Sequence, residues 1–99
     1  MKIERIDSQP PFREQDFTFP DSTVQGAFVA KKENAIFVRS RSRYKLECDG
    51  VHIVYADGTG HIKWKRGEFP FSAGDALRLE KTGEYEINGK GNYLIIFEK

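Results

Sequence analysis

The stretch GEFPFSAGDALRLEKTGEYEING, residues 67–89, decides the fold. It reads as a turn, a short strand, a tight corner at Gly74-Asp75, a second strand, a turn at Thr82-Gly83 and a third strand. The same punctuation extends outward in both directions. Turn signals stand at Glu33-Asn34, Asp49-Gly50, Asp57-Gly58, Arg66-Gly67 and Asn88-Gly89, the last leading to Gly91. A spacing of roughly 8–12 residues between such signals is that of an all-β sandwich or barrel. Between them lie segments rich in strand formers: AIFV, RYKLEC, VHIVY, HIKWK, FPF, ALRLE, EYEIN and NYLIIF. No segment sustains apolar spacing at the helical period.

Several segments alternate, which gives each strand one buried and one wet face. Tyr44, Leu46 and Cys48 share a face; Ile62 and Trp64 oppose His61, Lys63 and Lys65; Tyr85 and Ile87 oppose Glu84 and Glu86. The last strand, Tyr93 to Phe97, is apolar on both faces. It is either central to the packing or covers a subunit interface. The first 25 residues differ. SQPPFREQDFTFPDST carries three of the four prolines and three phenylalanines, and Pro10-Pro11 cannot sit in a central strand. The reading is an N-terminal arm, residues 1–25, followed by one barrel, residues 26–99. The arm either wraps its own barrel, sealing the end with Phe12, Phe17 and Phe19, or is exchanged with a second copy.

Ninety-nine residues make a single domain. The net charge of +1 implies no bulk attraction to nucleic acid or to an anionic membrane. The single cysteine, Cys48, forms no internal disulfide, so the fold does not need an oxidising compartment. The N-terminal residues have no apolar run of the signal-peptide kind, and no segment approaches the ~18 apolar residues of a membrane span. A cytoplasmic location is expected, with neither a nucleic-acid nor a membrane partner.

HIVYADGTGHIKWKRGEFPFSAGD resembles the cupin family of small β-barrels. Gly58 and Gly60 match the family's first glycine turn; Gly67 and Gly74 match the glycines of its second motif, with Ser72 where proline is usual and a spacing one residue short. GEYEINGKGNYLIIF is similar to the closing strands of the barrel at the C-terminal end of mannose-6-phosphate isomerases. The resemblance implies a cupin-like double-stranded β-helix, a jelly-roll barrel, and the edge pairing common in such barrels implies a homodimer. It also implies where a metal would sit. The His-x-His pair falls near Tyr44 and Leu46, or one residue on at Lys45 and Glu47. The family's Glu falls on Val51 and its second-motif His on Leu77. Neither valine nor leucine offers a donor to a transition metal. No metal and no other cofactor is therefore expected, and the family's chemistry is not carried over.

The remaining candidates are weaker. If Asp57-Gly58 centres a hairpin, His52 and His61 lie diagonally on one face, roughly 7–8 Å apart, pointing outward because Ile53, Tyr55, Ile62 and Trp64 occupy the other. They are then solvated surface histidines. Cys48 reads as a buried, inert thiol, since a nucleophile needs an activating base or a lowered pKa. Arg39, Arg41, Arg43 and Lys45 alternate, which reads as a solvated basic face balanced by carboxylates such as Glu84 and Glu86, or as an anion site. Asp75 and Glu80 have no carboxylate partner, so no acid–base dyad is assigned.

The barrel interior is left as the place for a ligand. Tyr44, Leu46, Tyr55, Trp64, Leu77, Leu79, Tyr85 and Ile87 read as inward, with Ser40 and Ser42. They either fill the barrel or line a pocket for one small ligand. Three functions follow. The first is a metal-free module binding a small ligand, carbohydrate-like or anionic: Tyr44, Tyr55, Trp64 and Tyr85 form the walls and Arg43 or Arg78 the rim. The second is an enzyme related to sugar or sugar-phosphate isomerases. The third is a filled barrel serving as a structural or protein-interaction domain. The binding module is favoured over the enzyme.

Overall fold

The computed structural model describes residues 1–98. Ten strands form in chain order: β1 (Lys2–Ile6), β2 (Phe28–Lys32), β3 (Ala35–Ser40), β4 (Arg43–Cys48), β5 (Val51–Asp57), β6 (Gly60–Trp64), β7 (Gly67–Phe71), β8 (Ala76–Glu80), β9 (Gly83–Asn88) and β10 (Gly91–Glu98). Among the described residues the one helical element is a short 3-10 turn at Glu14–Asp16. The expected all-β fold is thus present, and each turn signal of residues 67–89 falls at or beside a junction between strands. Gly74 takes the corner with φ +95° and Gly83 the following turn with φ +72°, conformations that favour glycine.

The strands form two antiparallel sheets, in the orders β1-β8-β5-β10-β3-β2 and β4-β9-β6-β7. Residues 2–6, at the start of the expected arm, are the edge strand β1, paired from Lys2↔Glu80 to Ile6↔Ala76. β10 lies between β5 and β3 in the larger sheet. Its two apolar faces therefore reflect a central position.

Two hydrophobic layers account for the burial. Between the sheets lie Val38, Tyr44, Cys48, Val54, Ile62, Phe71, Leu77, Leu79, Tyr85, Ile87, Tyr93 and Ile95. On the far side of the six-stranded sheet lie Ala35, Phe37, Ile53, Leu94 and Ile96, covered by Phe12, Phe17 and Phe19 of the arm. The rings of Phe17 and Phe19 meet Phe37 at 5.4 and 5.8 Å, and Phe12 meets Phe17 edge-on at 5.9 Å. The arm covers the outer face of its own large sheet and does not plug an end of the barrel. That cover is why β3, β5 and β10 are apolar on both faces.

The hairpin expected at Asp57-Gly58 does not form. β5 pairs with β8 and β10, whereas β6 pairs with β7 and β9, so Gly58-Thr59-Gly60 carries the chain from one sheet to the other. This reverses the expected facing of β5. Val54 and Ala56 point between the sheets, while Ile53 and Tyr55 point to the arm. Alternation could not reveal this, because Val51 to Ala56 is apolar at almost every position.

The crossing explains the glycines. A methyl group on Gly60 would lie 1.9 Å from the carbonyl oxygen of Asn88, and one on Gly91 would lie 2.7 Å from that of Asp57. The 57–60 and 88–91 segments are therefore in backbone contact, and Tyr93 Oη donates to the Gly89 carbonyl at 2.8 Å beside them. The glycines matched to the cupin turn serve this close approach.

The sheets do not close through strand pairing; side chains bridge the seams. Arg5 of β1 donates to the Pro70 carbonyl of β7 and stacks on Phe69 at 4.8 Å. At the opposite seam the Gln25 amide acts as a one-residue strand: Nε2 donates to Lys45 O at 3.1 Å, and Oε1 accepts from Lys45 N at 2.9 Å. No helix of the described residues is long and apolar enough to cross a membrane.

Candidate functional site in the cleft beneath the arm

The interior holds three of the expected wall residues. Tyr85 on β9 faces Leu46 on β4 and Trp64 on β6, with Tyr44 one pair along, opposite Ile87. They act as core. Tyr85, Tyr93, Phe71, Ile62, Leu77 and Leu79 are each at most 2% exposed, and Tyr44 is buried. Large side chains from both sheets fill the space that a ligand would need. Ser40 is buried here as well, its hydroxyl without a protein partner.

His52, expected on the surface, belongs to this interior. It is 7% exposed. Its Nδ1 lies 2.7 Å from Tyr85 Oη, and its ring packs edge-on against Phe97 at 4.7 Å. Burial holds the imidazole below its ordinary pKa of 6.5, opposed by the charge of Asp49. Burial also pushes the Tyr85 phenol well above 10.0, with Cys48 and Tyr44 adding to the effect. The pair is a neutral hydrogen bond inside the core. His61 is on the other sheet and outward, with Nε2 3.8 Å from Glu68 Oε2, so the two histidines share no site. Cys48 is buried and directs its thiol to the Leu79 carbonyl at 3.5 Å.

The donor set does not fit a metal. Tyr44 and Leu77 stand in the core, with Leu46 packed against it, and Val51 packs on the opposite side of the large sheet. Among the described residues no three His, Cys, Asp or Glu side chains converge as a metal site would require.

The two expected rim arginines do not join the tyrosines. Arg78 faces outward on β8, bound to Glu80 at 2.7 Å and Glu4 at 3.7 Å, both carboxylates of its own molecule. Arg43 is exposed at the end of β4. The alternating basic stretch divides between the sheets. Arg39 lies on β3 under the arm, where it meets Glu14 at 3.0 Å and stacks on Phe19 at 3.9 Å. Lys45 lies on β4, opposite Glu86, with Glu84 4.0 Å away. Glu86 is in turn opposite Lys63, and Lys63 opposite Glu68. A groove of about 370 Å³ on this face is lined by Lys45, Lys63, Lys65, Glu84 and Glu86, with Trp64 and Tyr85. Three lysines stand against two glutamates, so the lining carries little net charge, and the Tyr85 ring is already buried.

A cleft with the make-up of a small-molecule site lies under the arm. It encloses about 230 Å³. The floor is a row across three strands of the large sheet: Tyr55 on β5, Leu94 on β10 and Phe37 on β3, paired side by side. The next row places Asp57 beside Asn92. Pro10, Phe12 and Glu14 of the arm form the roof. The roof is held on one side by Ser8 Oγ and Tyr55 Oη, 2.8 Å apart, and on the other by Glu14 and Arg39. An apolar floor with a few converging polar groups is the usual composition of a ligand pocket.

Of the expected site residues, Tyr55 alone lines this cleft. Phe12, Glu14, Asp57 and Asn92 join it there. Asp57 reads in sequence as a turn residue and Phe12 as part of a seal. Only the pairing of β5 with β10, and the path of the arm across them, brings these side chains together.

A scan against family models and a search of curated proteins each return no match. The fold does have a solved counterpart. The crystal structure of the mannose 6-phosphate isomerase from Bacillus subtilis superimposes with a TM-score of 0.64 over 89% of this chain at 14% sequence identity. The chain spans about a third of that enzyme, 31% of its length. The likeness establishes a cupin-like fold for this chain.

Proposed function

We propose that the chain is a metal-free, cupin-like binding module whose ligand, a small polar molecule of carbohydrate size, sits beneath the N-terminal arm. The filled interior supports this reading, because the cleft beneath the arm joins an apolar floor to converging polar groups on the outer face of the large sheet. A volume of about 230 Å³ is below the roughly 300–1,000 Å³ of pockets for drug-sized ligands, so the occupant is of monosaccharide size. The rings of Tyr55, Phe37 and Phe12 offer faces for stacking, and Asp57, Asn92 and Glu14 offer hydrogen-bonding groups at the rim. The fold shared with a piece of a sugar-phosphate isomerase agrees with a sugar-like ligand. The aromatic and aliphatic side chains at the family's metal positions favour binding over catalysis. Two copies associating as the family resemblance suggests would meet through a surface other than the β4 edge, which Gln25 covers.

The test is a screen of monosaccharides, amino sugars, sugar acids and sugar phosphates, read by backbone and side-chain NMR. Shifts confined to Phe12, Tyr55, Asp57 and Asn92, with the Trp64 indole unmoved, are expected. A ligand that shifts Trp64 and Tyr85 instead would return the site to the interior and end this reading.

A further inference from the structure

The charge of the cleft narrows its ligand. Two carboxylates line it, Asp57 and Glu14, and no lysine or arginine does. Arg39 reaches Glu14 at 3.0 Å but is stacked on Phe19, so it neutralises that carboxylate from outside the cleft. Asp57 makes no ion pair among the described residues and is exposed at the rim. A free carboxylate beside an amide, at the edge of an aromatic floor, repels an anion. It attracts a cation that carries hydrogen-bond donors. An ammonium group held near a carboxylate and close to ring faces also gains from the electron-rich faces of those rings.

From this arrangement we infer that the cleft selects a small cyclic amine, an amino sugar or a molecule of the same chemistry, and discriminates against sugar phosphates and sugar acids. The inference rests on the cleft being the ligand site. The ring lies on Tyr55, Leu94 and Phe37, the ammonium group meets Asp57, and neighbouring hydroxyls meet Asn92.

The experiment titrates the isotope-labelled protein with glucosamine, glucose and glucose 6-phosphate, for the wild type and for Asp57→Asn. Asp57 is at an exposed strand end, and asparagine keeps its shape. Glucosamine should bind at least about tenfold more tightly than glucose, with shifts at Tyr55 and Asn92, and glucose 6-phosphate more weakly than either. The preference should collapse to within about twofold in Asp57→Asn and weaken in 0.5 M salt, as screening requires (a Debye length between about 3 and 10 Å). Equal or tighter binding of glucose or glucose 6-phosphate at the same residues would overturn the inference and leave the cleft as the site. An amine preference that survives in Asp57→Asn would also overturn it. Failure of all three probes to shift any cleft residue at millimolar concentration would overturn both the inference and the proposed site.

Discussion

His52 and Tyr85 come from opposite sheets and meet in the core, imidazole Nδ1 to phenol oxygen at 2.7 Å. The contact ties β5 to β9 at the layer interface, and each group is the other's hydrogen-bond partner. Removing one of them leaves a buried polar atom without a partner, which costs about 1–3 kcal/mol. Tyr85→Phe should therefore lower stability by that amount in urea denaturation, although it removes a single oxygen. No measurable loss would mean that the bond is replaced by solvent.

The same contact makes stability depend on pH. The folded imidazole is held below 6.5 by burial, so the unfolded chain takes up a proton at a pH where the folded protein does not. The contribution of His52 is then constant well above 6.5 and is lost as the pH drops through that value, until the folded imidazole itself protonates. The lowered carboxyls of Asp75 and Glu80 act in a separate window: their stabilisation is lost as the pH falls through their own ordinary range near 3.8 and 4.5. In His52→Gln the slope between pH 6.5 and 5 should flatten while the lower one persists. An unchanged upper slope would mean that His52 does not carry it.

Gly60 should be nearly irreplaceable. Its added methyl would meet the Asn88 carbonyl at 1.9 Å, a backbone atom that moves only with its strand. Gly60→Ala is expected to cost at or above the top of the roughly 1–3 kcal/mol typical of overpacking. Gly50→Ala is the control, since its methyl would meet the Glu98 carbonyl at 3.3 Å. Thermal melts of the two should differ by more than 10 °C, at about 4–8 °C per kcal/mol for a domain of this size.

Gln25 protects an edge. Its amide occupies the N–H and C=O of Lys45 on β4, the outer strand of the smaller sheet. Gln25→Ala frees both groups, and an unpaired strand edge is a template for association. Size-exclusion chromatography with light scattering should show more self-association, rising with concentration, than in the wild type. An unchanged distribution would mean that Lys45 and its neighbours guard the edge by charge alone.

Arg39 holds the arm. It stacks on Phe19 at 3.9 Å and pairs with Glu14 at 3.0 Å. Exposed stacking of this kind contributes about 0.5–1 kcal/mol, so Arg39→Ala should raise hydrogen exchange in residues 12–19 several-fold while β5 and β10 remain protected. Equal acceleration in β5 would show that arm and sheet open as one unit.

Much of the architecture was legible in the residues. Turn chemistry at Gly74 and Gly83, strand formers between the turns, and alternation in β4, β6 and β9 are local properties, and the structure repeats them. Alternation failed on β5. Val51, Ile53, Val54, Tyr55 and Ala56 include apolar side chains of both parities, so periodicity had no wet face to identify. The hairpin assumed at Asp57-Gly58 then placed Tyr55 inside and His52 outside, and the structure reverses both.

What the sequence alone determined is strands β3 to β10 and most of the turns between them, since each depends on neighbours a few residues away. What only tertiary structure decided is which strands pair, which face of β5 is inward, and that the arm lies on the large sheet to enclose the cleft. These depend on burial summed over residues far apart in the chain. The 57–60 and 88–91 segments fit against each other only when Gly60 and Asn88 come into backbone contact. That contact sends the chain from one sheet to the other and turns Tyr55 toward the arm.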